Sequence, residues 1–139
     1  MKTFHGTSAI SASHLVSGAV DVSRGGGELG QGFYTGEFLH EAKTWAFHVS
    51  GDRVRNVVSF STSDDLILDL DLLILDSIKA TALRRVVRNN GQTRTYRSFK
   101  DMVWAPIVGT ARVSGEQYKW ESKRTESMLN GSSTYRSIV

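Results

Sequence analysis

The ten residues Ser23-Arg24-Gly25-Gly26-Gly27-Glu28-Leu29-Gly30-Gln31-Gly32 contain five glycines. Glycine loses the most backbone freedom on ordering, so no long helix or strand is expected to run through such a stretch. The expectation is irregular backbone with room for positive φ and for close approach by neighbouring segments. Regular structure must come before or after it. This is not a Walker loop, because no Gly-Lys-Ser/Thr follows, and it does not join a long buried strand to a helix as a dinucleotide fingerprint does. Nucleoside triphosphate hydrolysis is therefore unsupported.

Before the glycines, Lys2–Thr7 reads as a short strand and Ser11–Ala19 as a short helix with Ile10, Leu15 and Val16 as candidate buried positions. After them, Phe33-Tyr34-Thr35 reads as a strand. Glu37–Val49 reads as a helix, with Phe38, Ala42, Trp45, Ala46 and Val49 at spacings of three and four and Gly51 ending it. Val57–Ser61 and Ile67–Leu72 are β-type; the aspartates of the second, Asp69 and Asp71, fit a solvated strand face better than a cation site.

Ser77–Asn89 reads as a helix with a serine cap at Ser77, its apolar side formed by Ile78, Ala82, Leu83, Val86 and Val87, and an end near Asn90-Gly91. Met102–Ala105 and Ile107-Val108 suggest a strand interrupted by Pro106, the only proline. Gln117–Ser122 looks like a last strand, followed by a polar helix over Lys123–Leu129 and a frayed tail. The sum is a mixed α+β chain of short strands with helices between them, and its 139 residues are expected to form a single domain.

The absence of cysteine leaves no disulfide framework, thiolate zinc site or cysteine nucleophile. Met1 and Lys2 lead directly into Thr3-Phe4-His5-Gly6 without a signal-peptide core, and the longest apolar run, Leu66–Leu75, is short and broken by Asp69 and Asp71. A cytoplasmic protein with no membrane partner is expected. Net charge is only +3, but Lys79, Arg84, Arg85, Arg88, Arg94, Arg97 and Lys100 lie between Asp76 and Asp101 with no acidic residue among them. Such a run is usually a solvated face, and it also makes an anionic target conceivable.

Three places stand out for chemistry: His5-Gly6-Thr7, Gly30-Gln31-Gly32-Phe33-Tyr34-Thr35, and Glu116-Gln117-Tyr118-Lys119-Trp120. Each is weak alone. Their order, with Ala42-Lys43-Thr44-Trp45 placing Trp45 eleven residues after Tyr34, resembles the NAD-binding core of the ADP-ribosyltransferase superfamily. The branch is the one containing poly(ADP-ribose) polymerases and diphtheria-type toxins, marked by a histidine, a tyrosine and a glutamate. The chain is most similar to small bacterial toxin-like members, through Gly30–Tyr34, Ala42–Ala46, Asp101–Gly109 and Gln117-Tyr118.

The resemblance implies an ADP-ribosyltransferase fold, with short, mainly antiparallel strands in a split sheet around an NAD cleft and helices at its edges. It implies that His5 bonds the adenosine-side ribose, that the Gly6 backbone holds the nicotinamide carboxamide, and that Thr7 adds a hydroxyl. Gly32 belongs to the same NAD-binding set, and Tyr34 and Trp45 flank the nicotinamide. Ala42 stands where the polymerases have a serine. Gln117 stands where the family has its catalytic glutamate; it can accept a hydrogen bond but brings no charge. Glu121, of the same strand parity, or the adjacent Glu116 are the alternative carboxylates.

NAD is thus implied as co-substrate, without a metal. Cleaving the ribose–nicotinamide bond passes through an oxocarbenium-like state, which calls for a grip on the leaving amide and for acceptors near the sugar. The implied activity is mono-ADP-ribosylation of a cellular macromolecule, protein or nucleic acid, by a toxin or effector restrained by a partner antitoxin. NAD hydrolysis, or NAD or ADP-ribose binding without turnover, are the alternatives.

Overall fold

In chain order the elements are β1 (Lys2–Thr7), α1 (Ala9–Val16), β2 (Gly26–Gly27), β3 (Gly30–Gln31), β4 (Phe33–Gly36), α2 (Leu39–Ser50), β5 (Asn56–Thr62), α3 (Asp64–Leu68), β6 (Leu72–Ile74), α4 (Ser77–Asn89), β7 (Met102–Pro106), β8 (Glu116–Trp120), α5 (Lys123–Asn130) and β9 (Thr134–Ile138). The structure is a computed structural model that describes residues 1–50 and 56–139. It is mixed α+β with mostly antiparallel pairing. The expected helix stop at Gly51 lies outside the described residues. Among the described residues no helix is long and apolar enough to cross a membrane. The chain divides into two compact units, one of residues 1–20, 35–69 and 127–139, the other of residues 21–34 and 70–126.

In the first unit β1 pairs antiparallel with β5 along its whole length, from Lys2↔Ser61 to Thr7↔Asn56, and meets β4 at Phe4↔Gly36. Val57, Val58 and Phe60 on β5 are buried on successive and alternate positions, so this strand is covered on both faces. α1 starts two residues before the expected Ser11 because Ser8 caps it, accepting from the Ser11 N–H at 3.3 Å. That start leaves Ile10 exposed, while Ala12 and Leu15 are buried. α2 packs on β1 through small residues: a Cβ on Gly6 would fall onto the Ala42 carbonyl, and Ala42 and Ala46 are buried. Phe38, Trp45 and Val49, expected on the buried side, face solvent.

Two expectations fail in this unit. Ile67–Leu72 is not a strand: residues 64–68 form α3, whose first turn holds Asp64 and Asp65, where carboxylates favour a helix N-terminus. On α3 Ile67 is buried, while Leu66 and Leu68 are exposed. The tail does not fray. β9 pairs with β5 from Thr62↔Thr134 to Val58↔Ile138, and Arg136 donates from Nη1 to the carbonyls of Leu129, Gly131 and Thr134 and from Nε to that of Val16. One guanidinium thereby satisfies carbonyls at the ends of two helices.

In the second unit β7 lies between β6, parallel to it with Leu72↔Met102, and β8, antiparallel with Met102↔Trp120 through Pro106↔Glu116. β7 ends at Pro106, though the Ile107 N–H still donates to Gly115 at 3.0 Å. Leu29, Ala80, Val103 and Ala105 form a fully buried core, with Tyr34, Leu73, Leu75, Leu83 and Val108 packed on it. α4 has the expected span, but its cap is Asp76, one residue before Ser77, accepting from the Lys79 N–H at 2.8 Å. Its buried positions are Ala80 and Val87; Ile78, Ala82 and Val86 are exposed.

The glycine-rich stretch is ordered. β2 and β3 form a hairpin closed by Gly27↔Gly30, with Glu28-Leu29 at its tip. Gly30 has φ of +98°, and a side chain there would also run into Tyr96. The Gly27 N–H donates to Thr93 at 3.0 Å and the Gln31 N–H to Tyr96 at 2.8 Å, so the hairpin is held along the segment following α4.

Candidate functional site

Strand alternation sends Gln117, Lys119 and then Glu121 to one side of β8, and all three are buried polar side chains. Each meets the glycine hairpin or the segment at residues 96–99. The Gln117 Nε2 donates to the Glu28 carboxylate at the hairpin tip and to the Pro106 carbonyl at 3.2 Å. Both partners are acceptors, so the amide nitrogen must face them and Oε1 must face away. Among the described residues no donor occupies that oxygen.

Glu28 is itself pinned. Its Oε1 accepts from the Val108 N–H at 3.0 Å, and its Oε2 lies 3.3 Å from the Arg84 Nε on α4. Beside this pair is a depression of about 310 Å3 lined by Gly27, Glu28, Arg84, Val87, Arg88 and Thr93. A carboxylate accepting from an amide N–H polarises the amide and makes its oxygen a stronger acceptor. Gln117 and Glu28 together therefore present a fixed, electron-rich oxygen that an isolated glutamine would not.

Lys119 is fully buried, and its three ammonium donors have three acceptors: Leu29 O at 2.9 Å, Ser98 Oγ at 3.2 Å and Glu121 Oε2 at 2.6 Å. Burial pulls its pKa below the ordinary lysine range, against the opposing pull of Glu121. Glu121 also accepts from the Ser98 N–H at 3.0 Å and the Phe99 N–H at 2.8 Å. Phe99 has φ of +56°, a conformation an aromatic residue rarely adopts. Glu121 thus ties down a strained segment, and both of its oxygens are engaged inside the unit. Glu116, on the other side of β8, accepts from the Trp104 indole at 3.0 Å.

Of the other expected site residues, Gly32 and Tyr34 also belong to the second unit. The Tyr34 ring lies where a Gly27 side chain would be, and its hydroxyl donates to the Gly30 carbonyl at 2.6 Å and accepts from the Leu29 N–H at 3.2 Å. Burial raises the phenol pKa far above its ordinary value, so Tyr34 stays protonated as the donor that holds the hairpin. Gly32 leaves room for the Lys119 stem and the Trp120 carbonyl. In the first unit His5, half-buried, is followed on β1 by the buried Gly6 and Thr7. Trp45 is 61% exposed on α2.

Sequence reasoning missed Glu28 and Lys119. The signal for Lys119 was its parity with Gln117; that for Glu28 was its being the one acidic residue in the glycine stretch. Among the described residues no cluster of three or more His, Asp or Glu side chains could hold a metal ion, Asp69 and Asp71 included. Neither protein-family models nor curated protein sequences give a match to this chain.

Proposed function

We propose that the chain is an NAD-dependent mono-ADP-ribosyltransferase that modifies a cellular macromolecule, acting in the cytoplasm as a toxin or effector under the control of a partner antitoxin. The order of the His5-Gly6-Thr7, Gly30–Tyr34 and Gln117-Tyr118 motifs supports this reading. The observation that carries it is the Gln117–Glu28 contact. The chief objection to catalysis was that Gln117 replaces a glutamate and brings no charge. Glu28 offsets that loss by orienting the amide and enriching its oxygen, which can then accept from a ribose hydroxyl as positive charge develops on the sugar.

Gln117 is the residue that meets substrate in this reading, and Glu28 is a positioning residue acting through it. His5, Gly6, Thr7, Tyr34 and Trp45 keep the binding roles that the resemblance implies. Purified protein is incubated with labelled NAD and cell lysate, and free nicotinamide and macromolecule-bound label are both followed. Release together with label is expected. Glu28→Gln should lower kcat for nicotinamide release by about tenfold to a hundredfold with little change in KM, or about 1.4 to 2.7 kcal/mol of transition-state stabilisation. The exchanged pair Glu28→Gln/Gln117→Glu restores the contact with its partners reversed and should recover part of the loss. Release without label would make the protein a hydrolase. NAD bound but never cleaved would reduce it to a binding module.

A further inference from the structure

α4 has two apolar faces, and only one is used. Ala80 and Val87 are fully buried and Leu83 packs on the second unit's core. Ile78, Ala82 and Val86 recur every four residues. At about 100° per residue they form a second row on the far side of the helix. Ile78 is 80% exposed and Val86 51% exposed. Single exposed aliphatics are ordinary, but three aligned on a well-capped helix make a contiguous strip about 12 Å long. A depression of about 410 Å3, lined by Ser77, Ile78, Thr81, Ala82 and Arg85, runs beside it.

The charges around this strip have one sign. Lys79 flanks one side, Arg85 and then Arg88 the other, all exposed and without an ion pair among the described residues. Arg84 differs, since it turns to Glu28. No acidic residue occurs between Ser77 and Lys100. An apolar ridge with cations on both sides is complementary to a helix with an apolar stripe edged by Asp and Glu.

Other occupants fit less well. Nucleic acid would use the cations but leave Ile78 and Val86 against phosphate and water. A lipid surface is usually entered by aromatic or leucine anchors, and this strip has neither. A second copy of this chain would have to offer its own acidic, apolar helix, α3, with Asp64, Asp65, Leu66 and Leu68. Its five residues span only about 7.5 Å, short of the strip. We infer that the outer face of α4 is a docking surface for an acidic amphipathic helix of another protein.

The test uses the full chain and a fluorescein-labelled designed peptide, helical, with leucines at alternating spacings of three and four and glutamates on the flanks. Binding is read by fluorescence anisotropy, beside a composition-matched scrambled peptide. Saturable binding of the designed peptide alone is expected. It should weaken at least about tenfold in Ile78→Ser/Val86→Ser, and similarly in Arg85→Glu or on raising salt from about 0.05 to 0.3 M. These residues are exposed, so circular dichroism should show unchanged folding, and Arg85→Glu serves if the double variant does not fold. Absence of saturation up to about 100 μM overturns the inference, as does binding that survives the double substitution. It is equally overturned if duplex DNA or phosphatidylserine vesicles displace the peptide at lower concentration. A self-dimer in sedimentation that Ile78→Ser/Val86→Ser abolishes would assign the face to a second copy instead.

Discussion

The Lys119–Glu121 pair separates a structural carboxylate from a catalytic one. Glu121→Ala would remove the shortest contact of a fully buried ammonium and the acceptors of the Ser98 and Phe99 N–H groups. Breaking one side of a buried ion pair costs about 3–5 kcal/mol, and each orphaned buried donor carries a penalty of about 1–3 kcal/mol that overlaps that figure. A loss of about 4 kcal/mol is therefore expected, a large share of the total stability of a domain this size. Lys119→Met should cost less, since Glu121 keeps two backbone donors and Arg97 at 3.7 Å, and the double variant should cost less than the sum by about 2 kcal/mol. Urea unfolding followed by far-ultraviolet circular dichroism measures the cycle.

A pH series adds an independent check on the same pair. The folded pKa of Lys119 lies below the ordinary 10.5, so the unfolded chain binds the proton more tightly. Wild-type stability relative to Lys119→Met should then rise with pH between the depressed folded value and 10.5. The reasoning is refuted if Glu121→Ala unfolds within about 1 kcal/mol of wild type. It is refuted more sharply if that stable variant has also lost nicotinamide release, because the carboxylate would then be acting on substrate.

Two further substitutions test how the expected NAD residues are held. Gly6→Ala drives a methyl into the Ala42 carbonyl, so α2 must move off β1; calorimetry should show a loss of about 1–3 kcal/mol, and an unchanged Tm would mean that the helix shifts freely. Tyr34→Phe keeps the ring over Gly27 but deletes the hydroxyl between Gly30 and Leu29. Amide exchange at the hairpin should speed up and stability fall by about 1–3 kcal/mol; exchange rates equal to wild type would show that the hydroxyl does not hold the hairpin.

Elements whose pattern reflects local chemistry were legible in the sequence. β1 and α4 have the expected spans, β5, β7 and β8 nearly so, because apolar alternation and caps are written within each segment. The failures came where tertiary contacts decide. The alternation at 66–71 fits a strand as well as a helical turn, and residues 64–68 take the latter, with Ile67 buried. Thr134, Tyr135 and Ile138 are strand formers behind a Gly-Ser stretch that reads as a tail, and β9 forms where β5 offers an edge and Arg136 finds four carbonyls. α4 misled for the reverse reason: five apolar residues looked like one face, whereas they and Ala80 fall on two sides, one of which its own unit does not use.

The candidate site shows the same division. That Gln117, Lys119 and Glu121 share one side of β8 was legible, because strand parity is a local property. The carboxylate that Gln117 meets lies 89 residues away, on a hairpin that periodicity alone reads as irregular. The glycines around Glu28 allow the contact. Gly30 accepts the positive φ beside the tip, and Gly32 lets β8 come close through Lys119. With those two constraints met, Glu28 turns inward to the Val108 N–H, Arg84 and Gln117, and Lys119 reaches the Leu29 carbonyl. The glycine stretch therefore does more than tolerate irregular backbone. It sets a carboxylate at the hairpin tip against Gln117, so under the proposed function a side chain at Gly32 should lower nicotinamide release as much as Glu28→Gln does, by lifting the hairpin from β8 and leaving the amide unpinned.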